Sequence, residues 1–188
     1  MSKFEVNKSD SKLKYRKFIG PSQFAAAIGL DEYLSPEQLR KEIENGYLDQ
    51  NTFATCFGKD KECVALYYYK KLYNISITPP KFVIDQLNNR IGGIGDGLID
   101  NVTGLEIKCH VGSEPLQTLP TKYLVQMAGY MHLYKRQRWI LMSCTFNKDN
   151  TLAKYKVFTV NWEEIKDRWE NQWYPQLVNF VNQTKWKT

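Results

Sequence analysis

At 188 residues, 43% hydrophobic and 14% aromatic, the chain has the length of one domain and enough apolar surface for a core, which argues against disorder. Its net charge of +6 permits an anionic partner. No stretch approaches the ~18 apolar residues of a membrane span, no signal peptide opens the sequence, and Cys56, Cys63, Cys109 and Cys144 lack any C-x-x-C, zinc or iron–sulfur spacing. An intracellular, unsecreted protein with core thiols and no membrane association is therefore expected.

The whole chain, 1–188, reads as one domain whose first 15 residues are a basic, flexible arm. Lys12, Lys14, Arg16 and Lys17 place positive charge just before a short helix at Pro21–Ile28, and a helix start beside Arg16, Lys17 and Ser22 suits a phosphate. The alternative is a diffuse solvated basic surface. Ser35-Pro36-Glu37-Gln38 carries the signature of a capping box, and its helix stops at Asn45-Gly46. Phe57 to Tyr73 is nearly apolar and predicts a well-buried helix. Glu62 lies inside it, either as an ordinary solvent-facing residue or as a charge that needs a partner or a metal.

Ile75–Thr78 and Phe82–Ile84 predict strands around Pro79-Pro80. Past the region developed below, a loop from His110 to Pro120 leads into a helix over about Lys122–Lys135, where Tyr123, Gln126, Tyr130 and Leu133 recur on one face. A tyrosine stripe is more often core than site, but Gln126 within it needs hydrogen-bond partners. Trp139–Thr145 and Lys154–Val160 predict two further strands. Asn161-Trp162-Glu163-Glu164 opens a final helix that Pro175 should kink or end. His110 and His132 sit in no nucleophile motif.

The stretch from Ile91 to Cys109 carries the chemistry. Leu98-Ile99 and the run from Leu105 flank Asp100-Asn101-Val102-Thr103-Gly104, which predicts a β-hairpin. Side chains alternate along a strand, so Glu106 and Lys108 share one face and Leu105, Ile107 and Cys109 the other. Asp96 begins the first strand among glycines. Two carboxylates and a lysine thus meet at one end of the hairpin. A solvated charged face is the usual meaning of E-x-K. Against it, paired carboxylates repel unless a cation lies between them, and they are the oxygen ligands Mg²⁺ or Mn²⁺ prefers.

The spacing Asp96…Glu106-Ile107-Lys108 fits D-x(n)-E-x-K, the pattern of the PD-(D/E)XK nucleases, with Gly95 in place of the proline. Gly58-x-x-x-Glu62 precedes it, Tyr123-x-x-Gln126 follows it, and Arg16…Ile19-Gly20-Pro21-Ser22 stands near the start. In this order the elements resemble the phage lambda exonuclease or YqaJ viral recombinase family over roughly Arg16 to Thr145. The resemblance implies an α/β fold, a mixed sheet flanked by helices with a restriction-endonuclease-like core. It implies a Mg²⁺-dependent exonuclease, Mn²⁺ substituting, that degrades linear duplex DNA 5′ to 3′ from its ends in recombination or viral DNA processing. Metal would be held by Asp96, Glu106, Glu62 and the carbonyl of Ile107; Lys108 would orient or activate water, with Gln126 positioning it. DNA would be contacted by Arg16, Lys17, Ser22 and Tyr123. A ring-shaped homotrimer, a single-strand annealing partner and a place inside the host of a phage or virus are further implications. The alternatives are an endonuclease on the same fold and a DNA-binding module with an idle site.

Overall fold

The computed structural model describes residues 16–47, 53–112 and 114–187, without the side chains of 53–56 and 59. The expected N-terminal arm and the Cys56 thiol lie outside that description. A four-stranded mixed sheet is ordered β3 (Gly97–Leu98), β4 (Thr103–Cys109), β5 (Arg138–Phe146) and β6 (Leu152–Asn161). β4 and β5 run parallel, joined by a crossover that contains α4 (Thr121–Tyr134); the other two pairings are antiparallel. A small ladder of β1 (Val83–Ile84) and β2 (Gly92–Gly93) stands beside it.

The predicted hairpin forms. Asp100 Oδ1 accepts from the Val102 and Thr103 amides at 2.8 and 2.7 Å, a side chain standing in for a backbone turn. Gly97 then pairs with Leu105 and Leu98 with Gly104. The segment Ile75–Thr78 contributes less than expected: among the described pairings it makes a single bridge, Thr78 to Leu98.

Helices cover both faces of the sheet. On one, α1 (Pro21–Ala27), α4 and the C-terminal helices enclose Phe24, Met127, Trp139, Leu141, Trp169 and Leu177. On the other, α3 (Phe53–Tyr73) packs Ala65 and Tyr69 over Leu105, Ile107, Met142 and Cys144. α3 is not the well-buried helix its apolar composition predicts. Only one side of it meets the sheet, so Tyr67, Leu72 and Tyr73 remain exposed. For the same reason Cys63 is an exposed thiol rather than a core one, whereas Cys144 is buried against the half-buried Cys109 at 3.7 Å between sulfurs.

α2 (Pro36–Asn45) has the capping box read from its sequence: Ser35 Oγ accepts from Gln38 N at 3.2 Å, and Gln38 Oε1 accepts from Ser35 N at 2.9 Å. At the C-terminus, α5 (Trp162–Arg168) passes through a π-helical turn at Trp169–Trp173 into α6 (Tyr174–Gln183). Pro175 therefore does not end the helix. Its ring would collide with the carbonyl four residues back, at Asn171, and the wider π turn falls on that residue.

Candidate active site

β4 builds the site because its two faces meet different neighbours. Ile107 turns into the apolar layer beneath α3, whereas Glu106 turns toward α4 and is only 3% exposed. The solvated charged face is thus excluded: Gln126 covers it, donating from Nε2 to Glu106 Oε1 at 2.6 Å. Lys108 Nζ reaches the same oxygen at 2.6 Å. Glu106 Oε2 is buried and has no hydrogen-bond partner. An unpaired carboxylate oxygen in a protein interior is costly, which makes it a ready ligand.

Asp96 lies just before β3, and its Oδ2 accepts from the Ile107 amide at 2.6 Å. Burial and then the neighbouring Glu106 push its carboxyl up to about 8, against the pull of that amide. Glu62 of α3 adds a weaker push, so it stands within electrostatic range of Asp96 from across the sheet edge. Lys108 is half-buried, which alone would lower its pKa, but Glu106 and then Asp96 outweigh this and hold it above the usual lysine range. It stays an ammonium, 5.4 Å from the centre of the Tyr123 ring.

The structure therefore gathers Asp96, Glu106, Lys108 and Gln126 into one contact network, with Tyr123 at its edge. Glu62 belongs to its electrostatics. Among the described residues no three His, Cys, Asp or Glu side chains converge tightly enough to form a metal cage. Two carboxylates and a strand carbonyl nevertheless suit Mg²⁺, which keeps several waters and is commonly held by one or two carboxylates with substrate phosphates. The orphaned Glu106 oxygen and the strained Asp96 carboxyl are what a cation would relieve.

A second layer was not apparent in the sequence. Tyr130 donates to the Ile94 carbonyl at 3.1 Å, its hydroxyl accepts from Gln126 at 3.4 Å, and its ring stacks on Trp139 at 4.9 Å. One turn on, the Tyr134 hydroxyl accepts from Gly95 N at 3.3 Å and donates to the Lys81 carbonyl at 2.6 Å. The tyrosine stripe does both jobs that its sequence left open. It also accounts for Gly95 standing where the nuclease pattern has proline, because a Cβ there would lie 2.8 Å from Trp139 Cζ2.

Arg16, Lys17 and Ser22 line a cavity of about 430 Å³ that also includes Gly93, Ile94 and Tyr130, and so borders the candidate site. Arg16 is not free in it. Its guanidinium pairs with Glu42 at 3.2 Å and lies 4.3 Å from the Tyr47 ring centre.

A mixed sheet with this carboxylate–lysine hairpin on its edge and helices on both faces is the PD-(D/E)XK nuclease fold. The sequence pattern of the YqaJ-like viral recombinase domain matches residues 13–137, and the chain belongs to that family. Solved structures share the architecture. An alkaline exonuclease, LHK-Exo, from Laribacter hongkongensis superposes with a TM-score of 0.68 at 16% identity, covering 89% of each chain. LHK-Exo in complex with dAMP gives 0.67 at the same identity and coverage. A phage related exonuclease from Haemophilus somnus gives 0.60 at 16% identity, covering 89% of this chain and 97% of that one. No curated protein sequence matches the chain closely enough to count as a relative.

Proposed function

We propose that the protein is a Mg²⁺-dependent exonuclease that hydrolyses linear duplex DNA from its ends, 5′ to 3′, in viral recombination or DNA processing. The observation that carries this reading is the Asp96–Glu106–Lys108–Gln126 network with its unpartnered, buried Glu106 Oε2. The family supplies the context of recombination, and the exonucleases that share the fold supply the reaction class.

Asp96, Glu106 and the Ile107 carbonyl would hold the ion, with Glu62 completing the site. Bound there, Mg²⁺ supplies Lewis-acid activation of water and of the scissile phosphate. Gln126 anchors one Glu106 oxygen and so presents the other. Lys108, held as an ammonium, donates to negative charge that develops on the phosphate as the bond breaks. The Ile107 amide fixes the Asp96 carboxylate, and Tyr130 and Tyr134 fix the glycine-rich segment that carries Asp96. Mn²⁺ fits the same oxygen ligands. A homotrimer and a single-strand annealing protein are the partners such an enzyme would have.

The decisive experiment compares end-labelled linear DNA with closed circular DNA in Mg²⁺. Linear DNA should be degraded and circles left intact, and Asp96→Ala or Glu106→Ala should abolish the loss while DNA binding persists. Nicked circles would assign an endonuclease instead. Undiminished Mg²⁺-dependent cleavage by either variant would remove the proposed metal site.

A further inference from the structure

A cavity of about 350 Å³ lies between the end of α4 and α5, and Met131, Lys135, Arg136, Trp162, Lys166 and Glu170 line it. It stands apart from the candidate active site: Tyr123 borders Lys108 near the start of α4, and the helix rises about 18 Å from Tyr123 to Lys135. The turn that follows α4 builds one wall. Lys135 closes the helix in the left-handed region, with φ 55° and ψ 46°, a conformation that glycine or asparagine takes at less cost. Its amide donates to the Met131 carbonyl, and the Arg136 amide donates to the same oxygen at 3.0 Å. Two consecutive cations are thereby turned onto the cavity, and Lys166 of α5 supplies a third. Among the described residues none of the three joins an ion pair. Exposed lysines need no counter-ion, but Arg136 differs: its Nε is buried and has no hydrogen-bond partner, which costs free energy.

Three cations facing one carboxylate, Glu170, leave a surplus of two positive charges at the cavity. A phosphomonoester carries about −1.5 to −2 at neutral pH and matches that surplus, whereas a phosphodiester or a carboxylate brings a single charge. A guanidinium can hold two oxygens of such a group at once. The cavity is also larger than an inorganic anion needs and has the size of a small-molecule pocket. Trp162 and Met131 give it an apolar wall against which a flat ring can lie. We propose that this cavity binds a nucleoside monophosphate, its phosphate held by Lys135, Arg136 and Lys166 and its base laid against Trp162. The ligand is of the class that an exonuclease releases, but the site stands independently of the nuclease reading.

Calorimetric titration of the full chain with deoxyguanosine 5′-monophosphate in EDTA tests this. Saturable binding should appear, and Arg136→Gln should weaken it roughly 10- to 150-fold, the range for a hydrogen bond to a charged group. Lys166→Gln, a change at an exposed position that leaves the core intact, should weaken it up to about 5-fold, as for an exposed charge pair. Glu170→Gln should tighten it, because a like charge has gone. The nucleotide should quench tryptophan fluorescence in the wild type and lose most of that quench in Trp162→Phe. Inorganic phosphate, which has no base to stack, should bind roughly 10-fold more weakly or worse, and so should a dinucleotide whose only phosphate is a diester. Unaltered affinity in both Arg136→Gln and Lys166→Gln, or weaker binding by Glu170→Gln, would overturn the site. Equal affinity for inorganic phosphate or for the dinucleotide would overturn its assignment to a nucleoside monophosphate.

Discussion

Asp96 and Glu106 lie close together in a poorly solvated place, and that has a measurable cost in the metal-free protein. The Asp96 carboxyl, pushed up to about 8, titrates above its value in the unfolded chain. Its protonated form is thus favoured by folding, so the contribution of Asp96 to the stability of the metal-free protein is full below the ordinary carboxylate range and is lost as pH climbs toward 8. In EDTA from pH 5 to 9 the melting temperature of the wild type should decline relative to that of Asp96→Asn. Parallel curves for the two proteins would assign the decline to another group. Arg16 offers a second test at this scale. If it anchors a terminal phosphate, Arg16→Ala should slow digestion of 5′-phosphorylated ends by the equivalent of roughly 1.5–3 kcal/mol, and 5′-hydroxyl ends much less. Equal slowing of both would leave Arg16 as a strut between the N-terminal segment and Glu42 of α2. The meeting of Asp96, Glu106 and Lys108 was legible in the sequence because chain spacing and strand alternation placed them, and Gln126 because a polar residue in a tyrosine stripe of a helix needs partners. The Tyr134–Gly95 and Lys122–Tyr33 contacts were not, since each joins segments that only the tertiary fold brings together.

The elements nearest the site are held by one large ring. Trp139, at the start of β5, lies flat against Tyr130 and fills the space above two glycines. A Cβ at Gly104 of β4 would fall 2.1 Å from Trp139 Cζ3. Gly104→Ala should therefore destabilise the protein by roughly 1–3 kcal/mol, the range for overpacking, as read by urea denaturation. In a Trp139→Leu background the same change should cost far less. An undiminished cost there would point to the strand backbone instead of the indole. The hairpin itself was readable because its turn is local, with Asp100 capping amides two and three residues on. The burial of α3 was misjudged for the converse reason. Apolar residues on all sides of a helix do not reveal that only one of those sides meets a sheet.

Across the molecule, the C-terminal helices close the layer that backs α4. Asp85, at the end of β1, is buried, and it accepts from the Tyr174 hydroxyl of α6 and contacts His132 of α4 at 3.2 Å. The spacing is that of an ion pair, yet burial first and Lys135 second push the His132 pKa down, against Asp85. The contact near neutrality is therefore a hydrogen bond of the neutral ring. Because the folded value lies below the unfolded one, the contribution of His132 to stability should be full above the ordinary imidazole range near 6.5 and be lost as pH drops through it. His132→Gln should remove that acid-side loss in a pH series of melting curves, and an unaltered loss would exonerate the imidazole. Tyr174 reaches Asp85 only because of the turn just before it. Each residue of an α-helix advances the chain by about 100° around its axis. The π turn at Trp169–Trp173 holds one residue more than an α turn would, and so sets the phase of everything after it. Winding that turn as regular α-helix with all five residues kept would bring the Pro175 ring against the Asn171 carbonyl. It would also swing Leu177, Phe180 and Val181 about a quarter-turn off the core they now fill. With all its residues kept, that stretch therefore has to keep its wide turn.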